Sequence, residues 1–488
     1  MEFGRIRNYI NGEWAASTSD EVLINHNPAT GAPISEVPMS TAKEVDAAVR
    51  AAHAAFEEWR RVPAVTRARY LMRFRELLEA HYEELSVIQT KEHGKTIDES
   101  RGETRRGIEN VEVACGIPTL MMGESLEDVA GGIDCRVMRE PLGVFACIAP
   151  FNFPFMIPLW FMPYALATGN TFVVKASEYV PNTQTRVFEI IDELDLPPGV
   201  VNLVHGGRQT AEALIDHSDV RGITFVGSSP VAKQIYRRCG AMGKRVIAQG
   251  GAKNCLVVMP DAELDPTIAA NLTSFFGSTG QRCLAGANAL VVGQDGRFNR
   301  RYLETLADAA AEIKLGDGLD ETTQMGPLQA HFRKERVMTY IDKGIAEGAD
   351  LLLDGRQHAL STATAGSCFL GPSIFDNVRL DMSIAQDEIF GPVATVIRAG
   401  SLESAIDMVN SLPYGNMASI FTSSGKAART FAHGVQAGNV GVNIGVAAPM
   451  AFFPFSGMKN SFYGVLHGQG KDVVRFFTES KVLIERWF

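Results

Sequence analysis

Gly143-Val144-Phe145-Ala146-Cys147-Ile148-Ala149-Pro150-Phe151-Asn152-Phe153-Pro154 opens the part of the chain that decides its fold. Its apolar run, 144–148, stops at a proline-flanked turn. Similar β-rich runs follow at 171–174, 200–204, 223–226 and 245–248, each separated from the next by enough residues for a helix. Strand, helix, strand at this repeat predicts a parallel sheet covered on both faces, an α/β architecture of the dinucleotide-binding type. Upstream, Thr41-Ala42-Lys43-Glu44 predicts a capping box. Behind it Val45, Ala48, Val49, Ala52, Phe56 and Trp59 recur on one helical face, and a second amphipathic stretch covers about 66–85. Downstream, a second α/β region begins near Gly251, with an apolar helix at 267–276, a glycine-rich turn and a strand at 289–292, and continues to about 445. The end, 461–488, closes with Lys481-Val482-Leu483-Ile484, a strand suited to pairing with another subunit's sheet edge. No repeat, low-complexity tract or Pro/Gly/Ser-rich linker divides the chain, so its domains are expected to interleave.

The 488 residues allow about three domains at roughly 150 residues each. Lys plus Arg number 46 against 56 Asp plus Glu, a net charge of −10, so the basic field that nucleic acid requires is absent. Seven cysteines with no CxxC pair argue against a disulfide framework and against a structural zinc site. Reduced thiols and the lack of a targeting pattern at the N-terminus make a cytoplasmic location the expectation, with no metal. The apolar stretch 151–168 approaches membrane-span length, but Asn152 and three prolines interrupt it, which predicts a buried segment and no membrane partner.

Five short motifs can carry chemistry. Gly280-Gln281-Arg282-Cys283 lies in a turn between helix and strand, where Cys283 can face a crevice and Arg282 would favour its thiolate. A lone cysteine is otherwise a small buried hydrophobe, and Cys115, Cys135, Cys147, Cys239, Cys255 and Cys368 are read that way. Phe151 and Asn152 follow a strand end, where such sheets bind ligands; the amide can stabilise an oxyanion or simply make a turn. Lys175 and Glu178 follow the next strand: they can hold ribose and phosphate oxygens, with Glu178 repelling a 2′-phosphate, or form a plain charge pair. Ser228 opens a helix whose N–H groups suit a pyrophosphate, although no GxGxxG is present. Glu388 and Phe390 stand just before the forced turn Gly391-Pro392 and can hold a ribose and pack a nicotinamide ring, or simply belong to a turn that enters a strand.

In order and spacing these motifs resemble the aldehyde dehydrogenase superfamily from Ile10-Asn11-Gly12-Glu13-Trp14 to the C-terminal strand. Within it they are most similar to the CoA-acylating methylmalonate-semialdehyde dehydrogenases. The more specific residues are Arg106-Gly107-Ile108-Glu109-Asn110, Leu120-Met121-Met122-Gly123-Glu124, Gly251-Ala252-Lys253-Asn254, Gly280-Gln281-Arg282-Cys283 and Pro449-Met450-Ala451-Phe452-Phe453-Pro454-Phe455-Ser456-Gly457. The resemblance implies Cys283 as nucleophile, with Asn152 and the Cys283 N–H as oxyanion donors. It places NAD against Phe151, Lys175, Glu178, Ser228, Glu388 and Phe390, and the substrate carboxylate against Arg106 and Arg282. It also implies a Rossmann-type NAD domain (1–120 and 141–250), a catalytic domain (251–445) and a small β extension (121–140 and 460–488) that joins subunits into a homodimer or homotetramer.

One departure is informative. Hydrolytic relatives start their Glu-Leu-Gly-Gly-Lys motif with the glutamate that activates water, and the matching stretch here begins with Gln249. An amide cannot take a proton, which favours coenzyme A as the acyl acceptor unless another group activates water. The expected reaction is NAD-dependent oxidative decarboxylation of methylmalonate or malonate semialdehyde to propionyl-CoA or acetyl-CoA. The alternatives are a hydrolytic NAD-dependent aldehyde dehydrogenase for another small aldehyde and a catalytically silent relative.

Overall fold

The sheet predicted from the runs after Gly143 is formed by β1 (Val144–Ile148), β2 (Thr171–Lys175), β3 (Val201–Val204), β4 (Val220–Val226) and β5 (Arg245–Gln249) in a computed structural model that describes residues 1–293, 296–362 and 367–488. The five strands are parallel and lie in the order β3-β2-β1-β4-β5, that of a doubly wound dinucleotide-binding sheet without its sixth strand. Antiparallel strands extend both edges, Asn8–Ile10 beside β3 and Phe462–Gly464 beside β5. Phe462–Gly464 falls within the range assigned from the sequence to the extension, yet it pairs into this sheet.

Strand periodicity sorts the core. Val144, Ala146 and Ile148 of β1 join one buried cluster with Val45, Ala48, Val49 and Ala52 of the capped helix Ala42–Trp59, while Phe145 and Cys147 face the other cluster. Residues covered on both faces can be apolar without interruption, which is why β1 reads as an unbroken run. The amphipathic stretch at 66–85 proves to be parts of two helices, Ala64–Ala80 and Tyr82–His93. They meet at His81, whose backbone (φ −101°, ψ 15°) departs from helical values. The apolar stretch 151–168 forms two short buried helices, Met156–Leu159 and Met162–Thr168, because its prolines deny it a continuous hydrogen-bond ladder. Among the described residues no helix is long and apolar enough to cross a membrane.

A second sheet of seven strands holds Asn254–Val258 and Gly286–Val292 at its centre and is parallel except for its edge strand Asp350–Leu353. The apolar helix starts earlier than its periodicity suggested, at Leu264, and ends at Phe276. The C-terminal strand Thr478–Arg486 pairs antiparallel with Ile133–Pro141 of the same chain, and Ser125–Ala130 completes that sheet.

Candidate active site

Four parallel strands deliver their carboxyl ends to one crevice. β1 runs into Phe151 and Asn152, β2 into Lys175 and Glu178, β4 into Ser228, and β5 into Gly250 and Gly251. The order reverses between β2-β1 and β4-β5, and such a switch point leaves a ligand cleft. The cleft offers about 330 Å³, and all six residues expected on the cofactor side line it: Phe151, Lys175, Glu178, Ser228, Glu388 and Phe390. Lys175 Nζ lies 2.8 Å from Glu178 Oε2, and Ser228 is the N-cap of helix Ser229–Ala241 with its hydroxyl making no capping bond. Phe390 holds a left-handed backbone (φ 60°), and its ring meets Phe151 edge-on at 5.8 Å. Such strain costs about 1–3 kcal/mol and persists where surrounding packing enforces it.

A second, smaller cavity of about 70 Å³ opens on the other side of Cys283, with Arg106, Arg282, Phe153, Trp160 and Phe455 in its wall. Among the described residues Cys283 alone lines both spaces. Its position follows from an unusual turn. After helix Leu264–Phe276, Ser278, Thr279 and Gly280 are all left-handed (φ 48°, 56° and 71°). The Ser278 N–H donates to Glu99 Oε1 at 2.6 Å, and the Thr279 hydroxyl donates to the Gly326 carbonyl at 2.8 Å. A Cβ at Gly280 would stand 2.2 Å from the Gly391 carbonyl oxygen, so only glycine lets this turn approach the one carrying Phe390. The amides of Asn254 and Asn416 then grip the Cys283 carbonyl at 2.9 and 2.8 Å.

Arg282 favours the Cys283 thiolate, as expected, but it is outweighed. Burial, followed by the Glu388 charge, pushes the half-buried thiol up to about 12, and the N–H groups of Cys283 and Leu284 oppose this more than Arg282 does. Arg282 is occupied elsewhere: its Nη2 lies 2.8 Å from Glu99 Oε1 and its Nε donates to Ser278 Oγ. Glu388 is itself raised to about 7, chiefly by burial, while the Ala252 N–H donates to its Oε1 at 2.8 Å. A Glu388→Gln protein should therefore react faster with iodoacetamide at Cys283 at pH 8, where the carboxylate it lacks is ionised. At pH 6, with Glu388 protonated, parent and variant rates should converge. Equal rates at pH 8 would disprove this coupling.

Arg106 and Arg282 do come together in one cavity. Arg106 Nη1 lies 3.2 Å from Glu109 Oε2, and its Nη2 donates to the carbonyls of Ala448 and Pro449. Each guanidinium already faces a carboxylate, so an incoming anion would share it. Asn152 is buried; its Nδ2 donates to the Gln281 carbonyl at 3.0 Å, which aims the amide at the Cys283 turn. Gln249 is also buried and donates to the Phe455 carbonyl at 3.3 Å.

Several residues of the site were not found from the sequence. Helix Ile97–Cys115 presents Glu99, Glu103, Arg106 and Asn110 at spacings of four, three and four, one helical face, and of these only Arg106 was singled out. Helix His331–Ala346 lends the cofactor cleft Arg333, whose guanidinium lies 3.4 Å from the Phe151 ring centroid, and Arg336, which donates to the Glu388 carbonyl. An i, i+3 arginine pair would have been the signal, but solvated helices carry it routinely. No cluster of metal-ligating side chains occurs among the described residues.

Comparison with known proteins bears on this geometry. The aldehyde dehydrogenase family model matches residues 14–483. A malonate-semialdehyde dehydrogenase of Geobacillus thermodenitrificans is 48% identical over 482 residues, covering 99% of each chain. One from Bacillus cytotoxicus is 46% identical over 487 residues, 100% of this chain and 99% of the relative. Among solved structures, the methylmalonate-semialdehyde dehydrogenase of Oceanimonas doudoroffii superposes with a TM-score of 0.96 at 40% identity, covering 99% of this chain and 98% of that one. A Sinorhizobium meliloti structure described under the same activity and complexed with NAD gives 0.96 at 38% identity, with the same coverage.

Proposed function

The chain belongs to the aldehyde dehydrogenase family, and from that premise we propose that it oxidises malonate or methylmalonate semialdehyde with NAD and passes the acyl group to coenzyme A. The observation that carries this is Cys283 in the wall between two spaces, one lined by the arginines and one by the strand ends. The similar proteins carry those activities in their names, and one of them is complexed with NAD.

The cleft's residues fit a dinucleotide. Lys175 and Glu178 offer partners for ribose and phosphate oxygens, and the N-terminus of helix Ser229–Ala241 faces the cleft at Ser228. When bound, NAD supplies the hydride acceptor. The protein does the rest. The Cys283 thiol gives its proton to water, its sulfur adds to the aldehyde carbon, and the oxygen that becomes negative is held by the Asn152 amide and the Cys283 N–H. Collapse of that adduct expels hydride and leaves a thioester on Cys283. The β-carboxylate of the acyl group departs as carbon dioxide, and the resulting carbanion takes up a proton. A CoA thiolate then attacks the thioester and frees the Cys283 thiolate. Arg106 and Arg282 orient the substrate through its carboxylate before oxidation.

Gln249 supports coenzyme A over water. Its amide is buried, donates to the Phe455 carbonyl, and has no basic lone pair for a water proton. A thiol of pKa near 8.5 is partly ionised near neutral pH and needs less help. The assay that tests this supplies NAD and semialdehyde with and without coenzyme A. Turnover is expected to require coenzyme A and to yield acetyl-CoA or propionyl-CoA; free acid released equally fast in both cases would reject acylation. The exposed Val482, Ile484 and Trp487 on and beyond the strand Thr478–Arg486 support assembly into a homodimer or homotetramer.

A further inference from the structure

We propose that the buried ion pair Lys95–Glu103 is a positioning device that presets Asn152 as an oxyanion donor; this rests on the role given to Asn152 above. Lys95 is 0% and Glu103 3% exposed, and Lys95 Nζ lies 2.6 Å from Glu103 Oε2. The ammonium's second bond goes to the main-chain oxygen of Asn152, also at 2.6 Å, and it stands 4.5 Å from the centroid of the Phe153 ring. Three donors thus find two oxygens and an aromatic face. On the other side of the pair, Glu103 Oε1 accepts the N–H groups of Phe155 and Met156 at 2.9 and 3.1 Å. Besides each other, the two charges bond, among the described residues, only main-chain groups of residues 152–156. The next restraint on this segment is of the same kind: the buried Gln184 amide donates to the Pro154 carbonyl at 2.7 Å.

A buried ion pair adds little to stability over apolar residues of the same volume, because removing two charges from water offsets their attraction. The pair's geometric effect is specific. The segment between β1 and helix Met156–Leu159 is an irregular turn with prolines at both ends and no sheet partner of its own, and its one catalytic group is the Asn152 amide. Gripping the carbonyl of Asn152 fixes the direction of its Cα–Cβ bond, and with it the angle at which Nδ2 meets the Cys283 turn. A shift of about 1 Å at such a donor can slow the reaction by about 10²-fold.

The test is a double-mutant cycle read on the NADH burst, which reports acylation alone. Lys95→Met is expected to slow the burst by about 10²-fold, and to have less than about a threefold effect in an Asn152→Ala background, because the donor it aims is gone. Lys95→Met strands a buried carboxylate, so Lys95→Met/Glu103→Gln is made as well; it should melt near the parent yet keep the slow burst. Alkylation of Cys283 by iodoacetamide, which needs no oxyanion donor, should stay at the parent rate in both. Equal losses in the parent and Asn152→Ala backgrounds, or a parent-like burst in the double variant, would overturn the positioning role. An Asn152→Ala protein as fast as the parent would instead overturn the role of Asn152, and the positioning role with it.

Discussion

Replacing Cys283 by serine is expected to slow NADH formation from semialdehyde by about 10⁵-fold or more, about 7 kcal/mol of barrier, as removal of an enzyme nucleophile does elsewhere. Serine keeps the size and the backbone of the turn, so the Asn254 and Asn416 bonds to the residue-283 carbonyl persist and the fold should be unchanged. What is lost is acidity. Burial and the Glu388 charge already hold the thiol at about 12, and the same site would hold a hydroxyl much further from ionisation. With glutamine at 249, the position that would supply a base offers an amide. The measurement is stopped-flow absorbance of NADH under single-turnover conditions, with circular dichroism to confirm folding. A serine protein within tenfold of the parent would remove covalent catalysis from the mechanism.

Asn152→Ala should have the next largest effect, about 10²–10³-fold, the range for deletion of one side-chain oxyanion donor. The amide is 4% exposed, and a donor held in place at a buried position is worth more than one in solution. Removing it also frees the Gln281 carbonyl that Nδ2 now occupies. The loss is expected in kcat/KM for the semialdehyde and again in transfer to coenzyme A, because both steps pass through a tetrahedral oxyanion. NAD affinity, measured by fluorescence quenching, should be unchanged. If affinity fell as far as the rate, Asn152 would be a cofactor contact and not an oxyanion donor.

Much of this could be read from the chain because it depends on neighbours in sequence. The capping box at Thr41, the buried face from Val45 to Trp59 and the five strands after Gly143 arise from periods of 3.6 and 2 residues and from local hydrogen bonds. Strand edges moved by a few residues; β4, for example, begins at Val220 and not at 223. That is the scale on which pairing partners, absent from a local pattern, set where a strand begins. The stretch 66–85 looked continuous because its apolar spacing continues across His81, and only packing shows that two helices share it.

Residue chemistry at single positions was also legible. A glutamine where a base would stand, a cysteine in a glycine-led turn and an asparagine at a strand end retain their donor and acceptor inventory wherever they fold. Which of these groups meet, and in what charge state, was decided by the tertiary structure alone. Arg282 finds Glu99 across 183 residues of chain, the Cys283 thiol is raised by burial and by a carboxylate 105 positions downstream, and Lys95 holds a carbonyl 57 residues away. Electrostatic energies depend on distance in space and on how far water is excluded. For groups on different strands and helices neither quantity is set by the separate elements; both are fixed when the elements pack around Cys283.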